Sequence, residues 1–395
     1  GLYVYIARNN GSYPSKPSFE FPLDPKTGNA FFSKRNGVQQ LVVTTESGAT
    51  QYAYQDKTFV ERMRSTFSTL LPSRTREPIF LRNISHDLDN DDSDEWVIPA
   101  LDGFEILDNG RTRIFLEAEM HSEAYRFNGV HVDHRIPRVH VFEQKGFSTK
   151  ALGIVGEHGV IFYYGERWEK SHRHSFPDKP EDQWDRQAIM EDINDDGFPD
   201  LMVTNTKGTA NIEVLTDFYF ASPALKYPSA PSTQLEIKGG FSLPNLVDLN
   251  GDDKLDIVVR GFPITLRNIA SYLFSRRISM KLEIYSFERN GFEEKPSHRS
   301  YITADISEGR EEIAYTYGDF DGDGAKDIAV GARATKLTIL THGKNGEMSS
   351  RPWKTIQVHT FGIAWSTDLD ASGKDDIVII HPRGKYQKNI EVIRF

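Results

Sequence analysis

Five nine-residue segments carry side-chain oxygens at positions 1, 3, 5 and 9. They are Asp87, Asp89, Asp91 and Glu95; Asp192, Asn194, Asp196 and Asp200; Asp248, Asn250, Asp252 and Asp256; Asp319, Asp321, Asp323 and Asp327; and Asp368, Asp370, Ser372 and Asp376. Such a donor set suits a hard cation that takes six to eight oxygens at about 2.3–2.6 Å, which points to Ca2+. Carboxylates crowded into so short a loop repel one another unless a cation sits among them. A backbone carbonyl near position 7 is expected to add a further ligand, and Gly197, Gly324 and Gly373 at position 6 permit the reversal that turns neighbouring carbonyls inward. The copies at 192–200, 248–256 and 319–327 are complete. Those at 368–376 (Ser372 at position 5) and 87–95 (Asp92 in place of Gly, Glu95 in place of Asp) depart from the pattern, so the sequence predicts three calcium sites and up to five.

An EF-hand would need a twelfth-position Glu and flanking helices. Position 12 here is Ile98, Val203, Val259, Val330 or Ile379, and the residues after position 9 (Trp-Val-Ile, Leu-Met-Val, Ile-Val-Val, Ile-Ala-Val, Ile-Val-Ile) read as short buried strands. A loop feeding an apolar strand, five times over, makes this a repeat protein.

The pattern D-x-[DN]-x-D-G-x-x-D followed by an apolar strand resembles the FG-GAP/VCBS repeat, also found in the head of integrin α-subunits. The resemblance implies an all-β chain folded as a single β-propeller, each repeat a four-stranded blade whose calcium loop joins its first two strands. The loops begin at 87, 192, 248, 319 and 368, at intervals of 105, 56, 71 and 49 residues. The double-length interval implies a blade near 130–180 without a loop. Upstream, residues 36–43 keep the frame of a loop end and strand while Phe32 and Lys34 replace ligands, a degenerate copy over 32–43 that binds no metal. Seven four-stranded blades over residues 1–395 follow, within the range of known propellers. Only enough chain for two strands follows the last loop, so the N-terminal strand Leu2–Ile6 is expected to complete that blade. Two segments with helical spacing, 58–71 (Phe59, Met63, Phe67, Leu70) and 264–280, read as short helical insertions capping the core.

The net charge of −10 owes much to the acidic loops and would be offset by bound calcium, so acidity says nothing about a basic partner. No basic stripe suggests nucleic acid, and no apolar run approaches the ~18–20 residues of a membrane helix. With no cysteine there is neither a disulfide framework nor thiol chemistry. Clustered carboxylate loops suit millimolar calcium, which points to the medium, the cell surface or the periplasm. A chain starting at Gly1 in mid-strand suggests that a signal or anchor segment once preceded it.

Nucleophile-elbow, phosphate-loop and zinc-protease motifs are absent. His121, His131, His134 and His140 cluster in sequence, but strand residues three apart point to opposite faces. Tyr163, Tyr164 and Trp168 read as blade core. The function expected is non-catalytic: a calcium-stabilised extracellular scaffold that recognises a protein or a glycan. The alternatives are a polysaccharide-lyase-like enzyme working in the channel mouth, or a lectin with repeated pockets between blades.

Overall fold

The computed structural model describes residues 2–395 apart from 9–10, 24–26, 57, 72–83, 127–129, 145, 181–183, 209–212, 224, 239–243, 262, 264, 290, 306–312, 343–347, 350, 383, 385 and 388. Two compact units, Gly1–Asp178 and Lys179–Phe395, divide the chain.

The first unit holds three antiparallel four-stranded sheets. Blade 1 is Asn29–Arg35, Val38–Thr45, Gly48–Gln55 and Thr58–Thr66; blade 2 is Ser85–His86, Glu95–Ala100, Gly103–Asp108 and Arg111–Glu117; blade 3 is Arg138–Phe142, Ala151–Val155, Gly159–Tyr164 and Lys170–Ser175. Among the described residues the second unit holds three more and one three-stranded sheet. Blade 4 is Asp185–Glu191, Asp200–Lys207, Glu213–Tyr219 and Thr233–Lys238; blade 5 is Asn245–Val247, Asp256–Gly261, Arg277–Tyr285 and His298–Asp305; blade 6 is Tyr315–Gly318, Asp327–Arg333, Lys336–Leu340 and Lys354–Gln357. Blade 7 has three strands, Ile363–Thr367, Asp376–Ile380 and Ile390–Ile393. In fold class the protein is an all-β, seven-bladed β-propeller.

Each apolar run after a loop lies on the second strand of its blade and is covered on both faces, which is why it shows no polar alternation. Val97 packs toward Leu152 and Ile154 of blade 3, while its neighbours Trp96 and Ile98 pack with Val42 and Ala49 of blade 1. In the second unit Ile257 and Val259 face Met202 and Phe218 of blade 4, and Val258 between them faces Ile328 and Leu340 of blade 6. The period-two geometry of a strand thus sends alternate side chains into two different inter-sheet cores. Of the residues read as blade core, Phe162 and Trp168 are buried in blade 3, whereas Ile161, Tyr163 and Tyr164 are only partly buried.

Two expectations are overturned. Leu2–Val4 pairs with Phe19–Phe21 in a separate two-stranded ribbon and adds nothing to blade 7. Leu2, Phe21 and Leu23 are partly buried against Ala30, Leu41 and Val43 of blade 1, which gives the ribbon its own place to bury apolar surface. Residues 58–66 form a strand, not a helix. Phe59, Met63 and Phe67 are four apart, an even spacing that a strand's period of two satisfies as well as a helix does. Arg62 is the extra residue of a bulge opposite Gln51 and Tyr52. In the stretch read as a degenerate repeat, Asn36 and Gly37, at φ 46° and 76°, close a two-residue hairpin that pairs Arg35 with Val38. Asn-Gly with both residues left-handed is the signature of a type I′ turn.

Candidate functional site

All five acidic loops adopt one backbone conformation. Position 4 is left-handed in every copy (Asn90 59°, Asp195 57°, Gly251 74°, Gly322 85°, Ala371 57°), and so is position 6 (Asp92 69°, Gly197 83°, Asp253 65°, Gly324 93°, Gly373 84°). The position-1 carboxylate accepts the position-6 backbone N–H in each: Asp87 from Asp92 at 3.1 Å, Asp192 from Gly197 at 2.8 Å, Asp248 from Asp253 at 3.1 Å, Asp319 from Gly324 at 2.9 Å and Asp368 from Gly373 at 2.9 Å. Asp and Asn tolerate the left-handed region and Ala does not, at a cost of about 1 kcal/mol or more. Ala371→Gly is therefore expected to stabilise the protein by about 1 kcal/mol, read as a higher urea midpoint at unchanged slope.

Position 9 is fully buried in every copy, at 0–1% exposure for Glu95, Asp200, Asp256, Asp327 and Asp376. Its carboxylate folds back on the loop, accepting the position-2 N–H from Leu88 (2.9 Å), Ile193 (3.0 Å), Leu249 (3.3 Å) and Phe320 (3.0 Å) in the first four copies. In blades 4, 5 and 7 the other oxygen accepts an N–H two residues past the third strand, from Ala221 (2.7 Å), Phe287 (2.9 Å) and Phe395 (3.2 Å). The last residue of the motif is thus an internal clamp as well as an oxygen donor. Burial pushes these carboxyls up against the pull of the backbone N–H groups: Glu95 to about 8, Asp200 and Asp327 to about 7, and Asp256 to about 6. Blade 3 has Ala151 at the start of its second strand. There the Gln144 side chain does the clamping, donating to the Thr149 carbonyl at 2.7 Å and accepting the Gly165 N–H at 3.1 Å.

Loops are also stitched from blade to blade within each unit. The residue before the second strand donates its N–H to the preceding blade's loop or hairpin: Asp94 to Lys34 O (2.8 Å), Lys150 to Leu88 O (2.8 Å), Leu255 to Ile193 O (2.9 Å), Lys326 to Asp248 O (3.1 Å) and Asp375 to Asp319 O (2.7 Å). Lys34 of the hairpin also pairs its ammonium with Asp92. Anything that fixes one loop therefore fixes the corner of its neighbour.

Calcium can be weighed against this donor set. In the 319–327 loop the ligand oxygens of Asp319, Asp321 and Asp327 lie within 4.8 Å of one another, and Asp327 Oδ1 is buried with no hydrogen-bond partner among the described residues. An orphaned, buried carboxylate oxygen beside two further carboxylates is what a hard cation would satisfy. Loops 192–200 and 248–256 repeat the backbone conformation with ligand-capable side chains at positions 1, 3, 5 and 9. In the 87–95 loop Asp87, Asp89 and Glu95 converge similarly, and Asp89 Oδ1 is likewise buried with no hydrogen-bond partner among the described residues, but here the guanidinium of Arg113 donates to Asp89 Oδ2 at 2.7 Å and lies 3.9 Å from Glu95. In the 368–376 loop Arg394 reaches Asp370 at 2.6 Å and Asp376 at 3.4 Å. Neither arginine stands out in the sequence, because each comes from a strand or tail distant from its loop.

Among the described side chains, the histidines clustered at 121–140 do not converge. His134 shares a 2.8 Å hydrogen bond with the Ser122 hydroxyl on the hairpin His121–Arg126/Val130–Arg135, while His140 belongs to the first strand of blade 3. The side chain of His131 lies outside the described residues.

The insertion in blade 5 contains a helix, α1, at Leu266–Ser275. Thr265 caps it, accepting the Asn268 N–H at 3.1 Å, and Arg276 closes it in the left-handed region. The Asn268 amide pins it through the carbonyls of Pro263 (2.8 Å) and Ser279 (3.2 Å). The sequence suggests a cap over the core, but none of the helix residues is buried: Leu266 is 88%, Leu273 62% and Phe274 90% exposed.

No family profile matches the chain, and no curated protein does. Among solved structures the chain is similar to BBS1N in complex with ARL6DN, soaked with lead, at 11% identity over 94% of this chain and 82% of that one, with a TM-score of 0.38. It is also similar to the same complex soaked with mercury, at 10% identity over 93% and 94%, with a TM-score of 0.37.

Proposed function

We propose that this β-propeller is a calcium-stabilised, non-catalytic scaffold of the FG-GAP/VCBS type that recognises another protein in the medium, at the cell surface or in the periplasm. The observation that carries recognition is α1. A capped, pinned helix that presents Leu266, Ile269, Leu273 and Phe274 to solvent has a cost in water and no intramolecular return among the described residues. Apolar helix faces of this kind fit a groove on a partner, with anchors spaced three and four residues apart. Loops 192–200, 248–256 and 319–327 are the proposed Ca2+ sites. Their oxygen-only donors suit an address where calcium is millimolar.

The test is a photo-crosslinking residue at position 274, compared with one at the exposed Leu101 of blade 2. The expected result is one discrete protein adduct from position 274 that Leu273→Asp abolishes. Leu273→Asp is also expected to leave the unfolding free energy within about 0.5 kcal/mol of wild type, since it touches no core. Calcium-dependent binding to a glycan array that is indifferent to Leu273→Asp would overturn the protein reading in favour of the glycan one.

A further inference from the structure

We infer that Arg113 and Arg394 are built-in cations that take the place of the metal in two of the five loops, so that only the loops of blades 4, 5 and 6 bind Ca2+. The two arginines come from unrelated parts of their blades. Arg113 is the extra residue of a bulge between Thr112 and Ile114 on the fourth strand of blade 2, and its guanidinium lies 5.5 Å from the Trp168 ring centroid. Arg394 follows the third strand of blade 7. Both nevertheless reach the same two motif positions, 3 and 9: Asp89 and Glu95 in one loop, Asp370 and Asp376 in the other. The position-9 carboxyls are 1% exposed in both, and a carboxylate that stays ionised at such burial needs a counter-charge. A planar guanidinium serves two carboxylates at once and keeps its charge at any working pH.

A divalent ion bound to those oxygens at about 2.4 Å would sit within a few ångströms of a fixed positive charge, so guanidinium and calcium exclude each other there. In the other three loops, among the described residues, the position 1, 3, 5 and 9 carboxylates draw no ion pair, only N–H donors from their own blade. At Asp319 two further donors, Gly322 and Asp323, are also internal to the loop. Lys374 lies near Asp321, with its stem against Gly322, without forming an ion pair. The two loops with arginines are also the two whose ligand positions depart from Asp or Asn, at Glu95 and at Ser372. Calcium dependence is thereby confined to residues 192–327 of the second unit, and the first unit carries no metal-dependent loop.

The inference rests on the calcium reading of those three loops, and its test separates the two. Calcium titrated into stripped wild-type protein by calorimetry is expected to give three equivalents. Asp196→Ala, Asp252→Ala and Asp323→Ala each remove one, and Asp89→Asn and Asp370→Asn remove none. Hydrogen exchange in chelator is expected to rise across 192–327 and to stay unchanged at 85–117. Arg113→Gln and Arg394→Gln are each expected to melt roughly 3 °C lower than wild type in chelator and to recover in millimolar calcium, each binding one equivalent more. Five equivalents in wild type, or melting in chelator unaffected by either arginine substitution, would overturn the arginine assignment. No calcium bound by wild type, with both arginine variants still melting lower, would sink the calcium reading and leave the arginines as the loops' own cations.

Discussion

Stripping calcium is expected to lower the melting temperature by roughly 15 °C at neutral pH, the largest single effect available in this protein. Each filled site adds about 2.7 kcal/mol when free calcium stands at about a hundred times its dissociation constant, so three sites add about 8 kcal/mol. A chain of this size converts that at about 2 °C per kcal/mol. The pH dependence sharpens the expectation. Without metal, burial holds Asp256 at about 6 and Asp200 and Asp327 at about 7, whereas an unfolded aspartate titrates near 3.9. Between those limits the folded chain binds more protons than the unfolded one, so stability is full below the unfolded value and is lost as pH rises through about 6–7. Stripped protein should therefore melt higher at pH 5 than at pH 7.5. Calcium should reverse that order, because its ligands must be deprotonated. Scanning calorimetry of stripped and calcium-loaded protein at the two pH values checks both. An unchanged melting temperature after thorough stripping would contradict the calcium reading, and greater stability at pH 7.5 in stripped protein would contradict buried neutral carboxyls.

The blade order was legible because one device recurs. A loop that must reverse at position 6 and then enter a strand buried on both faces leaves Asp, Gly and β-branched residues at fixed offsets, as at Asp319–Val330. Blade 3 was legible only as a gap, since Gln144 and Ala151 carry none of that signature. What escaped the sequence is what depends on contacts between distant segments. The bond from Lys326 N–H to Asp248 O and the reach of Arg394 to Asp370 are written at separations that no local pattern registers. The Phe59/Met63/Phe67 spacing misled because multiples of four satisfy both periods; Val60 and the Thr residues at 58 and 66 were the β-leaning signal to weigh against it. The left-handed φ at position 4 was partly visible, in Asn90, Asp195, Gly251 and Gly322, and hidden by Ala371. The same helical periodicity that failed at 58–71 succeeded at 266–275, where Thr265 supplies a cap. Even there, amphipathic spacing could not say whether the apolar face meets a core or water.

Asp200→Ala is expected to cost about 3–5 kcal/mol even in chelator, because the clamp and not only the metal is lost. Asp200 Oδ1 receives the Ala221 N–H at 2.7 Å and Oδ2 the Ile193 N–H at 3.0 Å, in a site of 0% exposure. Truncation orphans both buried donors at about 1–3 kcal/mol each and opens a small void beside them. Asp200→Asn keeps one acceptor but turns an NH2 toward the other N–H, so roughly half that loss is expected. Asp196→Ala supplies the contrast. Its side chain is exposed, and the N–H it serves, that of Phe198, can turn to water. Chelator denaturation of the three variants then separates two roles that the motif alone cannot. If position 9 is a clamp, Asp196→Ala unfolds with wild type in chelator and falls below it only in calcium, while Asp200→Ala is weaker in both. If position 9 were only a metal ligand, both alanine variants would match wild type without calcium, and the loss would appear on adding the ion. The buried N–H pairs favour the first outcome. The position-1 and position-9 carboxylates supply the hydrogen bonds that define the turn, so the proposed cation would neutralise charge at a corner that those bonds already shape.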